Sequence, residues 1–389
     1  MSEAPRIHWT EDGKACSALW RSERGALPAA KVVIADDRMT ADDAYGLACQ
    51  GTALLWRGDL VNARQMLTAI ANRADRKRGP IESRKSPSEI FNVERQARAQ
   101  KARTMGMLLV PLDPDYVIPL RRAPDMRDAC SEAYGPAQDE ASVVSLRELL
   151  GVLGAHEWRR KGIDLPAVGL RIHPHYGVFA PIRSEYVDLV AQAPFPEVVA
   201  SSSVGFDIGT GTGVLAAVLA RRGIERVIAT DQDPRALACA RENIERLGLT
   251  KRVDVVKANL FPEGRAALVV CNPPWVPARP SSPLEHGIYD PESRMLQGFL
   301  RGLPAHLEPG GEGWLILSDL AEHLGLRSRE ELLASIEGTG LKVVDRIDVR
   351  PRHPKASDAT DPLHRAREAE VTSLWRLSMK ASAGTPWVR

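Results

Sequence analysis

The chain has 389 residues, of which 44% are hydrophobic and 26% charged, and its formal net charge is +2. This composition is typical of a soluble globular protein and excludes disordered and fibrous classes. The five cysteines are scattered and form no Cys-x-x-Cys pair, which argues against a disulfide framework and a zinc cluster. The sequence has no apolar leader and no run of about 18 apolar residues, so we expect a cytoplasmic protein without membrane contact.

The length allows two domains, and the hydrophobic pattern changes near Asp164. Before this point the pattern predicts only scattered elements: a helical stretch from Ala41 to Ile70, helices at Pro87–Lys101 and Val143–Leu153, and short strands at Met107–Val110 and Tyr116–Ile118. We predict that residues 1–164 form a smaller accessory domain, mixed α/β or mainly helical, that recognises the substrate. Its fold does not follow from the sequence.

A basic segment lies inside this first domain. Between Arg73 and Arg103 the chain carries ten Lys or Arg residues and four acidic ones. Such a segment is either a solvated surface or a surface that neutralises phosphate groups. Phe91 is its only aromatic residue, so interleaved stacking residues do not support the second interpretation.

The segment Leu170–Ala193 carries the two histidines His173 and His175 and ends in a predicted helix. No third ligand follows at a helpful spacing, so we favour a structural or substrate-contacting loop over a metal site. His156-Glu157 resembles half of a zinc-protease motif, but Arg160 stands where the second histidine is required. We therefore expect no metal.

From Ser203 onward, short apolar strands alternate with helices of ten to fifteen residues, which predicts a parallel sheet covered on both faces. The last two strands, Leu341–Val349 and Val371–Ser378, have no apolar helix between them and are expected to form an antiparallel edge hairpin. We predict that residues 165–389 form a doubly wound, mostly parallel, seven-stranded α/β domain with a Rossmann-like fold.

A glycine-rich turn, Gly209-Thr210-Gly211-Thr212-Gly213, joins the first of these strands to a helix, and Asp231 follows at the end of the second strand. An acid at this distance can accept both hydroxyls of an adenosine ribose. The glycine spacing differs from that of dinucleotide sites, since Val214 stands where a third glycine is needed. Asp207 would repel a pyrophosphate but suits an ammonium group. These features favour S-adenosyl-L-methionine over a dinucleotide.

A second motif, Asn272-Pro273-Pro274-Trp275, follows the apolar strand that ends at Cys271. Two prolines cannot continue a sheet, so the strand must end in a stiff turn at the edge where open α/β sheets bind ligands. Asn272 Oδ1 and the carbonyl of Pro273 can each accept a hydrogen of an NH2 group, which would localise the nitrogen lone pair. Trp275 can offer a stacking face to a planar substrate, although packing alone is the alternative.

Residues Arg171–Met379 resemble the class I S-adenosylmethionine-dependent methyltransferases, in the branch with an (Asn/Asp/Ser)-Pro-Pro-(Tyr/Phe/Trp) motif. That branch includes adenine and guanine amino-methyltransferases and release-factor glutamine methyltransferases. The resemblance implies a catalytic turn at Asn272–Trp275 and a lid at Phe179 and Pro181. It also implies a set of cofactor-binding residues: Asp207, Gly209, Thr210, Gly211, Gly213, Asp231, Gln232, Asn259 and Leu260. Asn259 departs from the Asp usual in that family.

The motifs predict methyl transfer to a planar amide or exocyclic amine, most simply one in a macromolecule. A purine of RNA or DNA and a glutamine of a protein, such as a release factor or a ribosomal protein, both satisfy them, and the basic segment favours RNA slightly. A small-molecule methyltransferase, including one that methylates the sulfur of methionine-like substrates, is an alternative. So is a cofactor-binding assembly protein without catalysis. The oligomeric state does not follow from the sequence.

Overall fold

The computed structural model describes residues 5–76, 85–280, 283–351, 358 and 361–380. These residues form two compact units: the first comprises 1–85 and 90–160, and the second 86–89 and 161–389. Within the described ranges, no helix is both long and apolar enough to cross a membrane.

The first unit is built on a six-stranded mixed sheet with the strand order β1-β2-β6-β5-β4-β3. Its strands are β1 (Arg6–Glu11), β2 (Lys14–Arg21), β3 (Lys31–Ala35), β4 (Thr52–Trp56), β5 (Leu108–Leu112) and β6 (Ser142–Ser145). Its helices are α1 (Ala41–Cys49), α2 (Leu60–Arg76), α3 (Pro87–Gly106), α4 (Arg127–Tyr134) and α5 (Leu146–Lys161). All five residues of β4 are buried, as expected for a strand covered on both faces.

Four predictions for this unit were wrong. The stretch from Ala41 to Ile70 is not continuously helical, because Thr52–Trp56 forms β4, which pairs with β3 and β5 and separates α1 from α2. Val143 and Val144 lie in β6, because β6 pairs with both β2 and β5, and the helix begins only at Leu146. That helix continues past Gly151 and Gly154, since a glycine inside a helix costs only about 1 kcal/mol. Tyr116–Ile118 is irregular: Tyr116 closes a turn that begins at Asp113 and has a left-handed φ of 67°. Part of the basic segment, residues 77–84, lies outside the described residues.

The second unit carries a seven-stranded sheet with the order β11-β10-β9-β12-β13-β15-β14. Its strands are β9 (Val204–Ile208), β10 (Arg226–Asp231), β11 (Val253–Lys257), β12 (Ala266–Cys271), β13 (Leu307–Ser318), β14 (Leu341–Val349) and β15 (Thr372–Met379). The first five are parallel, and β15 pairs antiparallel with β13 and β14. A separate antiparallel pair precedes them: β7 (Ile163–Leu165) and β8 (Leu170–Ile172).

Helices cover both faces of this sheet. Successive side chains of a strand point to opposite faces, so each strand contributes to two hydrophobic cores. Leu268 and Val270 of β12 belong to the core on one face, together with α6 (Glu185–Gln192), α7 (Val214–Arg221) and α8 (Pro234–Arg246). Val269 and Cys271 belong to the opposite core with α9 (Arg294–His306) and α11 (Arg329–Gly338). Two short helices, α10 (Leu320–His323) and α12 (His364–Ala369), complete the described part. The predicted doubly wound fold with an antiparallel edge is confirmed.

Candidate active site

The carboxyl ends of the parallel strands β9 to β12 open into a cavity of about 660 Å³ in the second unit. Ten of the residues singled out from the sequence line it: Phe179, Gly209, Thr210, Gly211, Asp231, Gln232, Asn259, Leu260, Asn272 and Pro274. Asp207, Gly213, Pro273, Trp275 and Pro181 are not among the lining residues. The glycine turn, the acid after β10 and the Asn-Pro-Pro turn therefore share one cavity, although 63 positions separate Gly209 from Asn272 in the sequence.

The glycine turn is held from beneath by Asp207. This carboxylate is buried, and its Oδ2 accepts hydrogen bonds from Thr210 Oγ1 at 2.6 Å and from the Ala216 amide at 2.9 Å. Burial raises the pKa of Asp207 to about 6, and the charge of Asp231 acts in the same direction. The structure thus gives Asp207 the role of fixing the turn, beneath the cavity surface rather than on it.

The three glycines of the turn have positive φ values of 72°, 55° and 81°, which glycine adopts without strain. A Cβ on Gly211 would meet no atom within 4 Å, so the backbone is open there. A Cβ on Gly213 would lie 3.2 Å from Ala240 Cα, because the amino end of α7 packs against α8 at this point. Gly213 therefore lets α7 approach α8 closely, and it is not among the residues that line the cavity.

Asp231 stands on the cavity wall at the end of β10. Its Oδ2 accepts from the Gly211 amide at 3.1 Å and its Oδ1 accepts from the Asp233 amide at 3.0 Å. Burial raises the pKa of Asp231, while these amide hydrogen bonds lower it. Each carboxylate oxygen keeps a further lone pair, so the group can still accept the hydroxyls of a ribose.

The turn after β11 supplies Asn259 and Leu260. Leu260 has a positive φ of 70°, and its carbonyl accepts a hydrogen bond from Thr230 Oγ1 at 2.6 Å. This bond ties the turn after β11 to β10 and places Asn259 on the cavity surface. Backbone in this region is strained for a residue other than glycine, and such strain is typical of ligand sites.

The turn after β12 places Asn272 and Pro274 on the cavity wall and buries Pro273. The Trp275 ring points elsewhere: it packs against the hydrophobic cores on both faces of the sheet. Its indole Nε1 donates to Asn272 Oδ1 at 2.8 Å. These contacts differ from those expected of a ring that stacks on a substrate.

The remaining wall comes from residues that the sequence did not single out. One of them, Tyr186, lies in α6. A further group lies just before α9 or in its first turn: His286, Gly287, Tyr289, Asp290, Arg294 and Met295. Tyr289 is placed by a bridge to Val276, and Asp290 accepts from the Met295 and Leu296 amides at the start of α9. Asp290-Pro291 before a helix is a start signal that the sequence does offer.

The two histidines of the linking segment have structural contacts. His175 Nε2 lies 2.7 Å from Glu242 Oε2, and the His173 amide donates to Asn243 Oδ1 at 2.8 Å. In the described ranges, no three His, Cys, Asp or Glu residues are grouped as a metal would require. Phe179 lines the cavity and lies against Gly287, where an added Cβ would approach its Cβ to 2.6 Å. Pro181 is buried away from the lining.

The cavity fits an adenosyl cofactor. Its volume is within the range of about 300–1,000 Å³ that small-molecule pockets have. Gly209 and Gly211 leave a backbone surface without side chains, Asp231 offers a carboxylate for hydroxyl groups, and Asn259 offers an amide for a base.

Comparison with known proteins places this cavity in a recognised domain. The family model described as methyltransferase small domain matches residues 169–335. A release factor glutamine methyltransferase of Cereibacter sphaeroides is 34% identical over 160 residues, covering 37% of this chain and 54% of that protein. A release factor glutamine methyltransferase of Caulobacter vibrioides is 37% identical over 190 residues, covering 44% of this chain and 65% of that protein. A ribosomal protein L11 methyltransferase of Pelotomaculum thermopropionicum is 52% identical over 69 residues, covering 17% of this chain and 22% of that protein. The chain thus spans 65% or less of the length of each of these three relatives.

Proposed function

Since residues 169–335 form a methyltransferase small domain of the class I S-adenosylmethionine-dependent type, we propose that this protein methylates a planar amide or exocyclic amine nitrogen in a macromolecule. The observation that carries the proposal is the shared cavity. Asp231 and the glycine turn line it together with Asn272, so a cofactor site and an acceptor site meet there.

The chemistry requires that a delocalised nitrogen lone pair become available. Asn272 Oδ1 and the Pro273 carbonyl accept the two hydrogens of the NH2 group, which draws the nitrogen out of conjugation with its carbonyl or ring. S-adenosyl-L-methionine supplies the electrophilic methyl group when bound. The rigid Asn-Pro-Pro turn holds the acceptor in place, and such positioning accounts for a large part of the rate in reactions of this kind. The geometry needs no strong general base.

The acceptor that we propose first is the amide of a protein glutamine. Two of the relatives are named as release factor glutamine methyltransferases, and they are 34% and 37% identical to this chain over 160 and 190 residues. An exocyclic amine of a nucleic acid base is the second candidate, because the segment between Arg73 and Arg103 carries ten Lys or Arg residues against four acidic ones, a charge excess that would favour phosphates. If the acceptor is a translation component, as the names of these relatives suggest, the reaction takes place in the cytoplasm.

Labelled cofactor tests the proposal. The purified protein is incubated with methyl-tritiated S-adenosylmethionine and, separately, with release factors, ribosomal proteins, ribosomal RNA, DNA and a metabolite extract. Label in a protein or nucleic acid fraction supports the proposal, and acid hydrolysis then identifies the methylated residue or base. Asn272→Ala is the control, since it should abolish labelling and leave the affinity for S-adenosylhomocysteine within about twofold. Label confined to the metabolite fraction would refute a macromolecular acceptor.

A further inference from the structure

We infer that Trp275 is a positioning residue whose indole N–H fixes the orientation of the Asn272 amide. The inference rests on the proposed function, because it concerns how Asn272 is presented to the acceptor nitrogen. It starts from the 2.8 Å hydrogen bond between Trp275 Nε1 and Asn272 Oδ1.

An asparagine amide can be turned by half a revolution, which exchanges its oxygen and its NH2 group. A neighbouring N–H donor selects one of these orientations. It can bond to the amide oxygen, whereas against the amide NH2 group it would place two donors face to face without an acceptor. Trp275 Nε1 is donor only, so it holds the Asn272 oxygen in one orientation. The oxygen has two lone pairs, and the one not used by the indole is available to an N–H of the acceptor. A phenylalanine at this position would fill similar space without any donor.

The indole is itself held in place by the surrounding protein. Its ring packs against the cores on both faces of the sheet, and the Arg183 guanidinium lies 5.0 Å from its centroid. Arg183 is 22% exposed and forms ion pairs at 2.9 Å with Glu185 and Glu370, whose side chains are 7% and 2% exposed. Ser318 Oγ donates to Glu370 as well. A ring with these contacts is suited to orienting its neighbour and poorly suited to receiving a substrate.

The substitution Trp275→Phe separates positioning from stacking, because it keeps an aromatic face and removes the donor. Positioning predicts that kcat for the labelled acceptor falls by about 10- to 100-fold, since small displacements of reacting groups cost up to about 100-fold. The acceptor KM and the dissociation constant of S-adenosylhomocysteine should stay within about threefold. A kcat within threefold of the wild type, or a loss that lies wholly in KM, would overturn the inference.

The matched control is Trp314→Phe. Trp314 is fully buried, and its indole Nε1 donates to Glu312 Oε2 at 3.0 Å, away from the cavity lining. Both variants lose one indole hydrogen bond in the same unit, so both should unfold at a lower temperature. Only Trp275→Phe should lower kcat. Equal losses of kcat in the two variants would reduce Trp275 to a structural residue.

Nuclear magnetic resonance tests the bond without any acceptor, and so distinguishes failure of the inference from failure of the proposed function. In protein labelled with 15N-tryptophan, Trp275→Phe identifies the Trp275 indole signal by its absence. Asn272→Ala should shift that signal and increase its exchange with water. An unchanged signal would refute the orientation of Asn272 by Trp275, even if a methyl acceptor is found. A shifted signal supports it, even if the acceptors tested remain unlabelled.

Discussion

At Asp207, burial disfavours the charged form of the carboxyl group, whereas the hydrogen bonds that the group accepts favour it. The carboxylate is 1% exposed, yet it accepts hydrogen bonds from Thr210 and Ala216 that hold the glycine turn. Its position beneath the cavity surface means that it shapes the cavity through the backbone of the glycine turn. The sequence alone could not distinguish a supporting carboxylate from one that contacts a ligand.

The raised pKa of Asp207, about 6, predicts a pH-dependent contribution to stability. In the unfolded chain the pKa of an Asp is about 3.9, so between about pH 4 and pH 6 the folded state binds more protons than the unfolded state. The contribution of Asp207 to the free energy of unfolding is therefore full at low pH and declines as pH rises through 6. We expect Asp207→Asn to gain stability relative to the wild type between about pH 4 and pH 7. Urea unfolding at both pH values measures this difference, and a pH-independent difference would contradict it.

Asp231 is the residue on which cofactor affinity should depend most directly. Replacing it with Ala removes a charged acceptor, worth about 1.5–3 kcal/mol, so affinity for S-adenosylhomocysteine should fall by roughly 10- to 100-fold. Isothermal titration calorimetry measures the change. Asp254→Ala is the control, because Asp254 is 48% exposed, pairs with Arg226 and is not in the cavity lining. Equal affinities for the two variants would exclude a contact between Asp231 and the cofactor.

At the scale of elements, the cavity depends on where the strands end and how the following turns are built. The strands β9 and β11 end in turns that contain residues with positive φ, Gly209 and Leu260. The turn after β10 is held by the Asp231 carboxylate, which accepts hydrogen bonds from two backbone amides. The turn after β12 is stiffened by two prolines instead. Rigid turns of these different kinds keep Asp231 and Asn272 at fixed places on one wall.

Gly213 tests the packing of the glycine turn on α8. An Ala there would need a left-handed conformation and would place Cβ 3.2 Å from Ala240 Cα, so Gly213→Ala should cost about 2–3 kcal/mol of unfolding free energy. Gly248→Ala is the matched control. Gly248 also has a positive φ, 68°, but a Cβ would meet no atom within 4 Å, and about 1 kcal/mol is expected. Urea unfolding compares them, and a smaller loss at Gly213 would be inconsistent with the packing described.

On the scale of the whole molecule, the two units differ at the carboxyl edges of their parallel strands. In the second unit this edge opens into the cavity. In the first unit, Asp37 and Asp59 follow β3 and β4 and form ion pairs with Arg121 and Arg122 at 2.7 Å and 2.6 Å. We propose that the second unit, which has the cavity, carries out the methyl transfer. We propose that the first unit recognises the macromolecule.

The basic residues of α3 provide a test of that division. Arg98 pairs with Glu94 at 3.6 Å, Arg95 lies over the Phe91 ring, and Arg103 is exposed. If this helix binds phosphates, exchanging the three arginines for Glu should lower labelling of an RNA acceptor by about tenfold or more at physiological salt. Labelling of a protein acceptor should remain unchanged. The control makes the same charge change at the exposed positions Lys14, Lys31 and Arg38, and equal effects of both triple variants would remove the specific role of α3.

The sequence by itself determined the fold of the second unit and named many of the residues that line its cavity. Strand, glycine turn, helix and acid follow one another within the 28 residues from Val204 to Asp231, so their pattern is local and can be recognised without the tertiary structure. The Asn-Pro-Pro turn is equally local. Strands β9 and β10 are short apolar runs that end beside Gly209 and at Asp231, so their ends follow from the sequence.

Only the tertiary structure decided the rest, because the deciding contacts join distant parts of the chain. The strand β6 exists through its pairing with β2, and Leu19 faces Ser142 across that pair. Arg183 reaches Glu370, 187 positions away, and by this ion pair helps to hold Trp275. The indole N–H of Trp275 then donates to Asn272 Oδ1. A sequence motif names the residues of such a turn, but the partners of each side chain depend on what the fold packs against it.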